Sequence, residues 1–190
     1  MNMKKILFVN ACPRPMSRSL ELARHLLSKM EGELEEVRLF EDGPAPLNWE
    51  LLQQRDKLIE AKDFEHPMLR WAKQFSAADT IVIAAPYWDL FFPAALRAYL
   101  EAVSVTGLTF YYSEKGIPQS LCRAKKLVYV STAGGFAGEN NFGYEYIKAL
   151  AKNLFGIESV HCLMAEGLDI WGADVAGIME KAKLEAEKLI

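Results

Sequence analysis

The hydrophobic residues of this chain fall into short continuous runs that alternate with longer stretches of helical spacing. Ile6–Val9 and Ile81–Ala84 are apolar at every position, which is typical of strands buried on both faces of a parallel sheet. Runs this short fit strands better than buried helices. Five strands are predicted on this basis: Lys5–Asn10, Leu34–Leu39, Thr80–Ala85, Leu127–Ser131 and Val160–Ala165.

Helical periodicity fills the intervals between the strands, because apolar residues recur there every three or four positions. The regular stripes run from Leu20 to Met30, from Leu96 to Val103, from Tyr146 to Leu154 and from Val175 to Leu189. The segment Asn48–Phe75 is also predicted to be helical, with a less regular phase and an interruption at Pro67.

The alternation of strands and helices predicts an α/β fold with a doubly wound parallel sheet and helices on both faces. Right-handed crossovers leave few topologies, and for five strands we predict the flavodoxin-like order 2-1-3-4-5. A ligand then binds beyond the first and third strands. No repeat or linker divides residues 1–190, so we expect a single domain.

The charge and composition of the chain limit the binding partners that we expect. The net charge is −3, and no Lys/Arg cluster of the kind that follows nucleic acid is present, so no nucleic-acid partner is expected. No apolar run approaches the ~20 residues of a membrane span, so no membrane association is expected. The three cysteines, Cys12, Cys122 and Cys162, have no metal-ligand spacing. They indicate a reducing cytoplasm and no metal site.

Three loops follow strands whose carboxyl ends share one edge of the predicted sheet. The first, residues 11–19, places Ser17 and Ser19 at the start of a helix, where free N–H groups and the helix dipole favour a phosphate. Arg14 and Arg18 add positive charge. Ser17 is equally suited to a simple N-cap role, and one residue can fill both roles.

The second loop, residues 85–93, carries four aromatic side chains between the third strand and a helix. A flat aromatic ligand needs such a surface, together with backbone donors for its edge. We expect at least one of Phe91 and Phe92 to pack into the core. Asp89 is a candidate cap for the following helix, with Pro93 in its first turn.

The third loop, residues 131–136, contains the pair Gly134 and Gly135. Glycine lets the backbone approach a ligand closely and direct N–H groups at it. A glycine pair alone is weak evidence, but this one lies at the predicted ligand edge of the sheet. It is therefore predicted to form the third wall of the same site.

The motifs of these loops, in their order along the chain, resemble the flavodoxin-like NAD(P)H:quinone oxidoreductases. Within that family the chain is most similar to the bacterial FMN-dependent NADH-azoreductases. The resemblance covers most of the chain and is weakest across Glu41–Phe75. It is carried by the first and third loops and by Ala84–Trp88, Pro93–Glu101, Gly107–Phe110, Tyr112–Gly116, Phe155–Ile157 and Ala165–Gly167.

The resemblance implies bound flavin mononucleotide (FMN), with NADH or NADPH as the electron donor. It implies that the FMN phosphate is held by Ser17, Arg18 and Ser19. The isoalloxazine ring would be lined by Pro86, Tyr87, Trp88, Asp89 and Leu90. The pyrimidine edge of the ring would be held by Ser131, Thr132, Gly134 and Gly135.

The resemblance also implies a homodimer with sites at the interface, in which Tyr112 reaches over the flavin. The aromatic run Phe110–Tyr112 supports an interface independently, because aromatic residues are enriched there. The product's proton would come from water or from Tyr112, the candidate catalytic residue. Two positions depart from the family pattern, which usually has Ser at or beside Cys12 and often has Asn at Asp89.

The expected function is an FMN-dependent oxidoreductase that passes two electrons from NAD(P)H to quinones, or to azo or nitro aromatics. The expected route is ping-pong hydride transfer through flavin N5. A non-enzymatic flavin module, for electron transfer or regulation, is the main alternative, since a fold does not determine a function. Electron-carrier flavodoxins are usually strongly acidic, whereas this chain is close to neutral.

A second alternative is a low-molecular-weight phosphatase-like enzyme that uses Cys12 as its nucleophile. Cys12 precedes Arg18-Ser19 by the spacing that such enzymes use. Their loop works by directing successive N–H groups at a phosphate, and Pro13 and Pro15 have none. The chain also has no Asp-Pro pair to serve as the general acid of that family.

Overall fold

The computed structural model describes residues 3–190 and has at its centre a five-stranded parallel sheet. Its strands are β1 (Lys5–Asn10), β2 (Glu33–Arg38), β3 (Thr80–Ala84), β6 (Lys126–Thr132) and β7 (Ser159–Ala165), and they lie in the order β2-β1-β3-β6-β7. Two further strands, β4 (Phe110–Tyr112) and β5 (Pro118–Ser120), form a separate antiparallel pair.

The α/β class and the five parallel strands agree with the prediction, but the predicted order 2-1-3-4-5 is corrected to 2-1-3-6-7 in chain numbering. The sequence prediction missed β4 and β5 because strands of three residues are too short to show a periodic pattern. The pair is closed by a turn at Gly116, whose φ of 72° suits glycine.

The helices are α1 (Arg18–Ser28), α2 (Leu39–Asp42), α3 (Trp49–Glu60), α4 (Arg70–Ala77), α5 (Ala94–Val103), α6 (Phe142–Asn153) and α7 (Val175–Glu187). Helices cover both faces of the sheet, with α1 and α7 on one face and α4, α5 and α6 on the other. The predicted helical segment Asn48–Phe75 is two helices, because the chain leaves α3 after Glu60 and re-enters helix through a 3₁₀ turn at Pro67–Leu69. Every helix among residues 3–190 is too short or too polar to cross a membrane.

The two-residue period of the strands divides the core into two layers. In β6, Val128 and Val130 pack against α1 and α7, whereas Leu127 and Tyr129 pack in the layer of α4, α5 and α6. The same alternation decides where the end of β6 presents its polar residues. Ser131 therefore shares the face of Tyr129, while the next residue turns toward α1.

Candidate functional site

A cavity of about 480 Å³ opens at the carboxyl edge of the sheet, beyond the ends of β1, β3 and β6. Its volume lies in the range of small-molecule sites, roughly 300–1,000 Å³. All three predicted loops contribute to it, and a fourth loop, after β7, joins them. The wall consists of Pro13, Arg14, Met16, Ser17, Arg18, Pro86, Tyr87, Trp88, Thr132, Ala133, Gly134, Leu168 and Asp169.

The first wall is the N-terminus of α1. Ser17 is the N-cap residue, and its Oγ accepts a hydrogen bond of 3.5 Å from the Leu20 N–H. The N–H groups of Arg18 and Ser19 donate to no group within residues 3–190, as expected for the first turn of a helix. Together with the Arg14 and Arg18 side chains, they make this end of the cavity favourable for an anion.

Ser19 is fully buried and does not belong to the cavity wall. Its hydroxyl oxygen lies 2.8 Å from Oγ1 of Thr132 at the end of β6. The side chain that was expected to contact a phosphate is therefore engaged in joining the first loop to the third. The backbone N–H of Ser19 has no hydrogen-bond partner among the described residues.

The second wall is formed by Pro86, Tyr87 and Trp88. The Tyr87 N–H donates to the Thr132 carbonyl oxygen at 3.1 Å, and its hydroxyl donates to the Asn140 carbonyl oxygen at 3.1 Å. Both of its hydrogen-bond donors are thus used in holding the loop. Trp88 is 42% exposed and offers an open aromatic surface beside the cavity.

Asp89 and Leu90 form the tip of a tight turn at the exposed side of this loop. Trp88 and Phe91 exchange two backbone hydrogen bonds, of 3.0 and 2.8 Å, across the turn. Asp89 and Leu90 have φ values of 49° and 67°, which is the left-handed region that favours glycine. Their N–H groups donate to no group among the described residues, and neither residue lines the cavity.

The expected capping of the next helix by Asp89 is wrong. The N-cap residue of α5 is Pro93, and no side chain caps that helix. The positive φ values turn the chain at Asp89 too early for its carboxylate to reach the helix start. The expectation that at least one of Phe91 and Phe92 packs into the core is confirmed, since Phe92 is buried and Phe91 packs against it.

The third wall consists of Thr132, Ala133 and Gly134. The other two predicted residues lie elsewhere: Ser131 is buried on the opposite face of the sheet, and Gly135 is exposed outside the cavity. The N–H groups of the two glycines donate to no group within residues 3–190. These groups are free to donate to a ligand at this edge.

The sequence prediction missed the fourth wall, Leu168 and Asp169. Asp169 Oδ1 accepts a hydrogen bond of 2.8 Å from Nη1 of Arg18, which places a carboxylate inside an otherwise cationic cavity. A signal for it was present, because β7 is parallel to β6 and its carboxyl end must reach the same edge.

Cys12 does not have the properties of a nucleophile. Burial raises the pKa of its thiol to about 11, so the thiolate is scarce at neutral pH. Its N–H donates to Asn10 Oδ1 at 3.0 Å and is not directed into the cavity. These features disfavour the phosphatase alternative.

Tyr112 lies on β4 and is not part of the cavity wall of its own chain. Its ring packs edge-on against Phe110, with 5.5 Å between the ring centroids, and 56% of the residue is exposed. The site within one chain is therefore built without the candidate catalytic residue.

The parallel sheet of order 2-1-3-6-7, with a cavity at its switch point, defines a doubly wound α/β protein of the flavodoxin-like class. A family profile described as the flavodoxin-like fold matches residues 4–190, and the chain belongs to that family.

The chain is also similar to curated proteins along its full length. It is 36% identical over 203 aligned positions to FMN-dependent NADH:quinone oxidoreductase 2 of Clostridium acetobutylicum, covering 98% of this chain and 100% of that protein. It is 34% identical over 198 positions to FMN-dependent NADH:quinone oxidoreductase of Coprothermobacter proteolyticus, covering 98% of each chain. The resemblance inferred from the sequence motifs is confirmed.

Solved structures show the same fold. The azoreductase from Bacillus anthracis strain Sterne superimposes with a TM-score of 0.85 and 24% identity over 98% of each chain. The FMN-dependent NADH-azoreductase from the Ames Ancestor strain, in complex with FMN, gives a TM-score of 0.80 and 21% identity over 98% of this chain and 99% of that one.

Proposed function

We propose that this chain is an FMN-dependent NAD(P)H oxidoreductase that passes two electrons to quinones, or to azo or nitro aromatic compounds. One observation carries the proposal. A chain similar over its full length to FMN-dependent NADH:quinone oxidoreductases joins an anion-binding helix end, an aromatic loop and the free N–H group of Gly134 in one cavity. This combination matches the phosphate, the ring and the polar edge of a flavin nucleotide.

The residues at the start of α1 fit the FMN phosphate. We propose that it accepts hydrogen bonds from the N–H groups of Arg18 and Ser19 and from the Arg14 and Arg18 side chains. Ser17 lies in the cavity wall and contributes as the N-cap of the same helix. Ser19 contributes through its backbone, because its hydroxyl is engaged by Thr132.

The other walls fit the ring. We propose that Pro86, Tyr87 and Trp88 flank the isoalloxazine, with the free N–H groups of Asp89 and Leu90 near its edge. When bound, FMN supplies the capacity to accept a hydride from NAD(P)H and to return two electrons to an acceptor.

Thr132 would contact the pyrimidine edge of the ring, and the N–H groups of Gly134 and Gly135 would stabilise negative charge there. Ser131 would stabilise this edge indirectly, through the packing of the sheet, because it is buried on the opposite face and lies outside the cavity wall.

We further propose a homodimer in which Tyr112 of a second copy completes the site. Tyr111 and Tyr112 are 44% and 56% exposed on the short hairpin, and exposed aromatic residues are typical interface anchors. Light scattering at micromolar concentration should return twice the chain mass. Tyr112→Phe should keep the dimer and lower turnover if the tyrosine supplies the product's proton.

A cytoplasmic location is proposed with this function. Cys12, Cys122 and Cys162 are free thiols, which suits a reducing compartment. Fractionation of the source cells with an antibody to the chain would test the location directly.

The test of the function is spectroscopic. The purified chain should show an FMN absorbance spectrum that is bleached by NADH or NADPH without oxygen and restored by a benzoquinone or an azo dye. A flavin that binds but is not reduced by either nicotinamide would favour the non-enzymatic module. A chain that binds no flavin would overturn the proposal.

A further inference from the structure

Asp169 is the only carboxylate in the described wall of the cavity, where it faces the arginines Arg14 and Arg18. Its Oδ1 accepts a hydrogen bond of 2.8 Å from Arg18 Nη1. The FMN proposal requires the same guanidinium for the phosphate. Two anionic groups, the Asp169 carboxylate and the phosphate of the ligand, can therefore pair with Arg18.

The position of Asp169 is fixed by backbone contacts. Its N–H donates to the Gly134 carbonyl oxygen at 2.9 Å, and the Leu168 N–H donates to the Ala133 carbonyl oxygen at 3.2 Å. Its side chain lies directly against Gly134, where an added Cβ would be only 2.4 Å from Oδ2. The carboxylate is thus held in a defined position in the wall, between the phosphate end and the glycine loop.

The ion pair is nevertheless easy to exchange. The Arg18 and Asp169 side chains are 41% and 70% exposed, and solvent screens such pairs so that they contribute little to stability. A phosphate dianion offers Arg18 a stronger, charge-assisted partner than a single carboxylate does.

We propose that Asp169 competes with the FMN phosphate for Arg18 and thereby lowers the affinity of the site for the phosphorylated flavin. This inference rests on the proposed FMN site. Asp169 holds Arg18 while the cavity is free of FMN, and phosphate binding exchanges one anionic partner of Arg18 for the other. Removal of the Asp169 charge should therefore tighten FMN binding and leave riboflavin, which has no phosphate, unaffected.

The test is a calorimetric titration of the full chain, which is first freed of flavin by dialysis. The chain is titrated with FMN and, separately, with riboflavin. Asp169→Asn keeps the shape of the side chain and removes its charge. We expect the Kd for FMN to fall about fivefold and the Kd for riboflavin to change less than twofold. In the Arg18→Ala background, Asp169→Asn should change the Kd for FMN less than twofold.

Asp174→Asn is the matched control, since Asp174 caps α7 outside the cavity and Asn caps about as well. It removes one negative charge from the chain and should leave both Kd values unchanged. Circular dichroism of each variant checks that the fold is retained.

An unchanged or weakened FMN affinity in Asp169→Asn, or an equal gain for riboflavin, would overturn the competition. A gain in FMN affinity that persists in the Arg18→Ala background would also overturn the competition, because the Asp169 charge would then act on the phosphate directly. A parent chain that binds neither flavin would instead refute the FMN site itself, so the two failures are distinguishable.

Discussion

The hydroxyl oxygens of Ser19 and Thr132 lie 2.8 Å apart and join the first turn of α1 to the end of β6. Ser19 is fully buried, so the bond is shielded from water. It spans the sheet edge between the proposed phosphate wall and the glycine loop. This side-chain contact therefore joins the two parts of the site directly, in addition to the packing of α1 on β6.

Ser19→Ala should destabilise the chain by about 1 kcal/mol, because it leaves the partly buried Thr132 hydroxyl without its partner. Urea unfolding measures the change in the free energy of unfolding. Ser28→Ala at the exposed end of α1 is the control and should change it by less than about 0.5 kcal/mol.

The double variant Ser19→Ala with Thr132→Val tests whether the bond itself is responsible. Removal of both hydroxyls leaves no unpaired group, so the double variant should lose less than the sum of the two single variants. Strict additivity would show that the two residues act independently.

Gly134→Ala should disturb the site, whereas Gly135→Ala should not. A Cβ at Gly134 would lie 2.4 Å from Asp169 Oδ2, while one at Gly135 meets no atom within 4 Å. The Asp169 side chain, which is 70% exposed, must then move, and this should cost up to about 1 kcal/mol in thermal unfolding. Asp169→Ala in the Gly134→Ala background removes the conflicting oxygens and should recover part of that loss.

Equal effects of the two glycine substitutions would contradict this account. They would indicate that the loop as a whole, and not the packing of Asp169 on Gly134, determines its tolerance. The comparison is well matched, since both residues lie in one turn and differ in their surroundings.

Most of the fold could be predicted from the sequence because the central strands β1, β3 and β6 are buried on both faces and therefore contain continuous apolar runs. The prediction for β1, Lys5–Asn10, agrees at both ends with the structure. The hairpin of β4 and β5 had no such signal, since three-residue strands bury little and the partly exposed Tyr111 and Tyr112 carry no alternation.

The site was predicted in part, for a reason that follows from strand geometry. The loops could be located from the ends of the strands, but not the face to which each side chain turns. Ser131 and Thr132 are neighbours in the sequence and point to opposite layers. Asp169 depends on a contact across 151 positions of the chain, which local pattern does not reveal.

Cys12 should make the chain less stable at alkaline pH. Its pKa is raised from the ordinary value of 9.0 to about 11 by burial. Between these values the unfolded chain releases the thiol proton while the folded chain keeps it, so unfolding is favoured as the pH rises. The free energy of unfolding should fall between pH 9 and 11, by at most about 1.4 kcal/mol per pH unit from this thiol.

Cys12→Ser removes the titrating group and should flatten that part of the pH dependence, which urea unfolding from pH 8 to 11 would measure. Cys122 and Cys162, whose pKa values burial raises to about 12, remain in the variant and give the background slope. Rapid alkylation of Cys12 by iodoacetamide in the folded chain at pH 7, detected by mass spectrometry, would contradict the raised pKa.

Leu90→Gly should stabilise the chain and weaken FMN binding. Leu90 is held at a φ of 67°, where a branched side chain costs about 1–2 kcal/mol and glycine has no such cost. After allowance for the greater freedom of glycine in the unfolded chain, the expected gain is about 0.5–1 kcal/mol. Strain that is retained beside a binding site is typical of a functional constraint.

Lys62→Gly is the matched variant, because Lys62 has a φ of 55° just after α3 and lies outside the cavity. Both variants should raise the midpoint of thermal unfolding, but only Leu90→Gly should raise the Kd for FMN, by a few-fold. This difference follows if the turn of Asp89 and Leu90 presents a rigid backbone edge to the ring. An unchanged Kd for FMN in Leu90→Gly would mean that local packing alone causes the backbone strain of the turn. Its N–H groups would then not contact the flavin.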